Sequence, residues 1–376
     1  MSYSFAEEQE MIRSLGKEFF KREWSIALAR EIWEKKRDFP LELYQKMGGV
    51  GCLGLLIPEE YGGMGRTWVD TAIFYEEAGY VLFPVIHHFY SAVLGAQMIL
   101  AFGTEEQKRD LLPELAQGNI IFTMGWTEPQ MRHDTSDISS TTSRATLNNG
   151  TYTITGTKLP VRNLALAHYI ITPAKINEGS DVALFMVETK SDGLVIKTMY
   201  DVGGDILNEV IYEGVKVPAD RMLVKPVPGT QVAAVLEKCK VLRCAEMVGG
   251  SQRVMEMSVD HVKQRVQFDR FIGSFQSIQH RLADDQLEIF MARLFAHYAA
   301  RRCDEVADPL APVSMAIQVA TNAYIKVSND GSHVHGGYGI MHMTDVSLYF
   351  RRAKAIELEM GAPYTRQDRI ADAIGL

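Results

Sequence analysis

The residues whose types and spacing first suggest chemistry are two glycine runs, a few histidines and four cysteines. Gly62-Gly63-Met64-Gly65 and Gly336-Gly337-Tyr338-Gly339 could let the backbone approach a phosphate, because glycine has no Cβ and takes positive φ freely. A dinucleotide fingerprint needs such a run between a parallel strand and the helix it opens, and neither run has that setting. His87-His88 and His333-Val334-His335 would ligate a metal only with Cys or carboxylate partners at ligand spacing. None is visible, so no metal site is expected. Cys52, Cys239, Cys244 and Cys303 form no CxxC pair and read as reduced thiols, which fits a cytoplasmic setting.

Three stretches must position whatever chemistry there is. From Phe5 to about Gly118 apolar residues recur at three and four, interrupted at Pro40, Pro58 and the Gly62 run, which predicts short helices. Thr104 should cap a helix whose first turn carries Glu105 and Glu106. Between about Asn119 and Pro226 the period becomes two, as in Thr151-Tyr152-Thr153-Ile154-Thr155-Gly156, and predicts a domain of short antiparallel strands. After Pro228-Gly229 the helical period returns in long segments, Val232 to Gln267 and Leu282 to Val306. The fold class expected is α+β: a helical domain over 1–118, a β-domain over 119–226 and a C-terminal helical bundle over 227–376. A net charge of −8 argues against a nucleic-acid partner, and no window is apolar enough for a membrane span or a signal peptide.

Several motifs in this order resemble the acyl-CoA dehydrogenase family over nearly the whole chain. Gly51 to Gly65 is similar to the family's N-terminal signature, and Gly103-Thr104-Glu105-Glu106-Gln107-Lys108 to its helix before the β-domain. Thr127-Glu128-Pro129 resembles the start of its flavin loop, and Val215 to Arg221 its exit from the β-domain. Gln264 to Phe268, Gly273 to Gln276, and His335-Gly336-Gly337-Tyr338-Gly339 leading to Arg352-Ala353-Lys354 resemble its C-terminal motifs. The resemblance implies a C-terminal four-helix bundle, FAD as cofactor, an acyl-CoA substrate oxidised between its α and β carbons, and a tetramer. A carboxylate would take the α-proton while the flavin accepts the β-hydride.

On the side of the site that a subunit provides for itself, the sequence departs from the family. The loop after Thr127 is three residues longer before Ser136-Asp137 and carries Arg132 and His133. Pro160 stands at the place of a flavin-stacking Trp, and Arg162 at that of a small hydroxyl residue. The usual base position falls on Met360, which takes no proton. Glu359 is one residue away, about 100° around a helix, and reads first as a solvated or ion-paired glutamate. The base position that some members use on the helix after the β-domain falls on Cys239, with Glu237 and Glu246 nearby, and Glu246 is expected to pack at a helix crossing.

The residues that the family lends to a neighbouring subunit's FAD are kept: Arg265, Phe268, Gln276, Gly336 and Gly337, with His333 where a Gln is common and Asp269 where a Gly is common. Arg265 would meet pyrophosphate oxygens, and Phe268 the adenine. Thr127 and Ser136 are the candidates on the subunit's own side. This asymmetry predicts a non-catalytic subunit paired with an active paralogous acyl-CoA dehydrogenase chain in a hetero-oligomer, lending these residues to the partner's FAD site. The alternatives are a self-sufficient, homotetrameric dehydrogenase using Glu359, a flavin oxidase or monooxygenase on the same fold, or an acyl-CoA-binding or structural partner without flavin chemistry.

Overall fold

The computed structural model describes residues 6–131, 138–177, 179–361 and 363–376. Helices α1 (Glu7–Glu23), α2 (Ile26–Glu34), α3 (Leu41–Gly49), α4 (Trp68–Tyr80), α5 (Ile86–His88), α6 (Ala96–Phe102) and α7 (Glu105–Gln117) make up the N-terminal part, and a π-helical stretch, Phe89–Gly95, joins α5 to α6. Thr104 caps α7 as expected: its hydroxyl accepts from the Gln107 amide at 3.2 Å, and the Gln107 side chain accepts from the Thr104 amide at 3.0 Å.

Eight strands follow: β1 (Phe122–Met124), β2 (Arg144–Asn148), β3 (Thr151–Arg162), β4 (Tyr169–Ile176), β5 (Val182–Glu188), β6 (Leu194–Tyr200), β7 (Ile206–Pro218) and β8 (Met222–Val227). They form one sheet in the order β6-β7-β3-β2-β4-β5-β8, with β1 beside β4. The sheet is mixed rather than wholly antiparallel, because β1 and β2 both run parallel to β4. Strand β3 folds back on β2 and pairs on its far side with β7, so the chain returns to β2's free side only after a crossing loop. Strand β5 is buried on both faces. Leu184 and Met186 join the core under the helices, and Ala183, Phe185 and Val187 join a separate core inside the β-domain.

The C-terminal part comprises α8 (Gly229–Cys239), α9 (Val241–Gln264), a hairpin of β9 (Val266–Gln267) and β10 (Arg270–Phe271), α10 (Gln276–Glu305), α11 (Leu310–His335), α12 (Asp345–Met360) and α13 (Pro363–Ala373). The expected unbroken helix from Val232 is interrupted at Lys240, where the backbone tightens to i→i+3 bonds. The N- and C-terminal helices share one core. Helices α4 and α9 cross at near contact: a Cβ on Gly79 would lie 2.0 Å from the Glu246 carbonyl oxygen, and one on Gly249 1.9 Å from that of Glu76. Glu246 therefore sits at a helix crossing, as its sequence context suggested.

Candidate active site

Helix α12 ends at Met360, with Gly361 following at φ 87°. This end fixes the fate of two adjacent side chains. Met360 is 3% exposed and packs in the core, while Glu359, turned away from it, reaches the wall of a cavity of about 310 Å³. Tyr90, Trp126, Thr127, Pro160, Arg162 and Asp201 also line that cavity. Glu359 is ion-paired but not solvated: Arg243 Nη2 donates to its Oε2 at 2.8 Å, and the Tyr90 hydroxyl lies 3.4 Å from Oε1. Burial pushes its carboxyl up, but the charges of Arg243, Arg162 and Arg352 prevail and hold it below the usual carboxylate range.

Those arginines belong to a buried chain of charges that starts and ends at the cavity. From Glu359 it passes to Arg243, which also pairs with Glu246, and then to Arg352, which donates to Glu246 at 3.0 Å and to Asp205 at 2.6 Å. Arg162 Nη1 closes the chain on Asp201 at 3.1 Å and Asp205 at 3.5 Å. The chain joins α9 and α12 to β3 and the β6–β7 loop. Three guanidinium groups face four carboxylates, so one negative charge is left over. Burial and the nearby Asp205 push the Asp201 carboxyl up, which makes it the member that most readily holds a proton.

The β-domain wall rests on a second buried pair. Glu128 accepts from Lys158 Nζ at 2.7 Å, from the Ser143 hydroxyl at 2.6 Å and from the Thr142 amide at 2.8 Å. Burial raises the Glu128 carboxyl, yet Lys158 and the hydroxyls of Ser143 and Thr141 outweigh it and hold the group far below its ordinary range. Lys158 is pushed down to about 8 by burial, against the pull of Glu128. At Pro160 the β3–β7 register slips between Lys158 and Val161, which follows from a residue with no N–H to donate.

Thr127 lines the cavity, and its hydroxyl donates to the Leu159 carbonyl at 2.6 Å. Ser136 and the inserted Arg132 and His133 lie outside the described residues. Cys239 is fully buried with its thiol raised by burial, and Glu237 pairs with Lys240 and Arg369; neither reaches the cavity. His87 and His88 are tied up within the fold. His87 donates from Nδ1 to Asn163 at 2.6 Å, and His88 bridges the Tyr75 hydroxyl and the Cys52 carbonyl. Among the described residues no group of three His, Cys, Asp or Glu side chains could hold a metal, and no helix is long and apolar enough to cross a membrane.

Arg265, Phe268, Gln276, His333, Gly336 and Gly337 gather at the far end of the helical bundle, and none of them lines the cavity. Arg265 ends α9. Phe268, 86% exposed, sits with Asp269 in a left-handed turn between β9 and β10. Asp tolerates that conformation better than most residues, which explains its presence where a glycine is common. Gln276 opens α10, and His261 stacks on His335 with ring centroids 4.3 Å apart, which brings the ends of α9 and α11 together. No atom stands within 4 Å of where a Cβ would project from Gly336 or Gly337. Among the described residues Arg265 forms no ion pair.

The acyl-CoA dehydrogenase N-terminal domain family matches residues 6–119, the middle domain family residues 123–215, and the C-terminal domain family residues 230–375. The chain belongs to the acyl-CoA dehydrogenase family. A probable acyl-CoA dehydrogenase of Bacillus subtilis is 33% identical over 370 residues, covering 96% of each chain. The butyryl-CoA dehydrogenase structure from Megasphaera elsdenii superposes with a TM-score of 0.91 at 26% identity, over all of both chains. The ChsE4-ChsE5 complex from Mycobacterium tuberculosis superposes with a TM-score of 0.87 at 26% identity, over 100% of this chain and 99% of that one. The family is one of FAD-dependent oxidoreductases acting on CH–CH bonds.

The residues present fit that cofactor. The Trp126 indole N–H, on a cavity-wall side chain more than nine-tenths buried, donates to no described residue and is left to a ligand with acceptor atoms. The open glycines and exposed Phe268 and Arg265 suit a ring and a pyrophosphate approaching from outside.

Proposed function

We propose that this chain catalyses FAD-dependent α,β-desaturation of an acyl-CoA thioester with Glu359 as the proton acceptor, and lends its Arg265, Phe268, Gln276, His333, Gly336 and Gly337 face to a neighbouring subunit's cofactor. The observation that carries this reading is the position of Glu359. It is an ionised carboxylate on the cavity wall, while the neighbouring Met360 is sealed in the core. FAD, when bound, supplies the acceptor for the β-hydride. The chain's own groups do the rest: Arg243 and Tyr90 hold the carboxylate, and the buried charge chain keeps the helical and β segments together around the cavity.

A second reading, a non-catalytic subunit beside an active paralogous chain, draws support from the exposed face of α10. Leu287, Phe290, Met291, Leu294 and Tyr298 follow helical spacing and all lie open to solvent, an apolar stripe suited to another helical bundle. The likeness to the ChsE4-ChsE5 complex is in keeping with it.

Expression of the chain alone, and with the product of its neighbouring gene, separates the two readings. A yellow homo-oligomer that reduces an artificial acceptor with acyl-CoA, and loses this activity in Glu359→Gln, supports the first. Flavin and activity that appear only on co-expression, and survive Glu359→Gln, overturn it in favour of the second.

A further inference from the structure

Arg162 stands where the family pattern has a small hydroxyl residue. Its surroundings give it a different part. Nη1 is fixed by Asp201 and Asp205, which sets the plane of the guanidinium, whereas Nε and Nη2 have no partner among the described residues. An interdomain brace accounts for the first donor and leaves the other two without a role. Arg162 shares the cavity wall with Glu359, whose negative charge favours the protonated guanidinium. The two nevertheless form no ion pair within 4.0 Å. A carboxylate and a guanidinium thus line one cavity without pairing with each other, and both are left to face what enters it.

We propose that Arg162 is the hydrogen-bond donor to the thioester oxygen as the substrate enolises. This rests on the acyl-thioester reading above. In the step, the Cα–H bond breaks, its proton passes to the Glu359 carboxylate, and the electron pair delocalises onto the thioester oxygen, which Arg162 receives through an N–H. No oxidant is needed for this step. A guanidinium stays protonated under all working conditions, and one fixed in a buried site requires no reorganisation as the oxyanion develops. The substitution thus moves stabilisation of the enolate onto a protein side chain.

Acetoacetyl-CoA tests this, because it is acidic enough to lose its α-proton to solvent without the Glu359 carboxylate, and its enolate absorbs in the near ultraviolet. The purified flavoprotein and its Arg162→Met, Arg162→Lys and Glu359→Gln variants are titrated with it across pH, with flavin content and circular dichroism as checks of folding. The wild type should bind the enolate at a pH below that at which the free ligand ionises. Arg162→Met should raise the midpoint by about 2–3 pH units, since one oxyanion donor is worth about 10²–10³. Arg162→Lys keeps the charge but loses the fork, and should raise it in the same direction by less than the Met variant; it decides the matter if the Met variant does not fold. Glu359→Gln should abolish oxidation of a saturated acyl-CoA without raising the midpoint. Equal midpoints in the wild type and the folded Arg162 variants overturn the assignment while leaving Glu359 untouched. Failure of the wild type to bind acetoacetyl-CoA overturns the acyl-thioester reading, and this assignment with it.

Discussion

Replacing Lys158 with methionine removes a cation that is fully buried against Glu128. In the folded protein Lys158 titrates at about 8 rather than its ordinary 10.5, because burial disfavours its charged form more than Glu128 favours it. The folded value lies below the unfolded one, so as pH rises the folded protein releases this proton first. Between about 8 and 10.5 the unfolded chain binds more protons, and stability rises across that window. The displacement corresponds to roughly 3 kcal/mol between the limits. Spread over 376 residues at roughly 2.1 cal/mol/K of unfolding entropy each, this is about 4 °C in melting temperature. Thermal melts of the wild type and Lys158→Met, followed by circular dichroism at half-unit steps from pH 7 to 10.5, isolate the contribution as the difference between the two curves. The wild-type curve should climb relative to the variant by a few degrees above pH 8. Parallel curves, or a relative fall, would refute the account of this pair.

On the acid side the same variant should lose stability at a higher pH than the wild type. The depressed Glu128 carboxyl contributes above its unfolded value and loses that contribution as pH falls, and without Lys158 the depression shrinks; an acid melting series reads this directly. Arg352→Met leaves Glu246 and Asp205 without a buried cation they share, at a cost of about 3–5 kcal/mol, or roughly 4–6 °C on the same entropy scale. A drop below about 1 °C would show that the charge chain does not tie the segments together. Arg265→Ala should leave the melting temperature within about 1 °C, since the side chain is exposed, yet lower the FAD retained after gel filtration. Unchanged flavin content would remove Arg265 from the cofactor's surroundings.

Much of the fold was legible because it is written locally. The change of hydrophobic period from helical to alternating and back marks the three stretches, and the capping box at Thr104 and Gln107 needs only four residues. The parallel placement of β1 and β2 beside β4 was not legible, since alternation carries no information on strand direction. The exposed cofactor-binding candidates were readable for the same local reason: Arg265, Phe268 and Gln276 lie on one short stretch. The cavity was not. Arg243 and Glu359 stand 116 residues apart and Arg352 and Glu246 106 apart, and a buried charge acquires its partner only through tertiary packing. One signal was available, the Arg243 and Glu246 pair at i,i+3 in the otherwise apolar Val241 to Gly250 segment. Glu359 read first as a solvated or ion-paired glutamate, and its place on the cavity wall was not legible, because the helix periodicity gave its angle to Met360 and not which of the two faces the cavity.

The central claim is that Glu359 takes the substrate's α-proton, and Glu359→Gln tests it most directly because it keeps the side chain's size and shape while removing the proton-accepting carboxylate. Wild type and variant, both with bound flavin, are incubated with a saturated acyl-CoA in deuterated water, and exchange at the α-carbon is followed by mass spectrometry alongside flavin bleaching. The account predicts that both rates fall together by about 10²–10⁴, the share of a positioned general base. Exchange and bleaching at wild-type rates in the variant would contradict it.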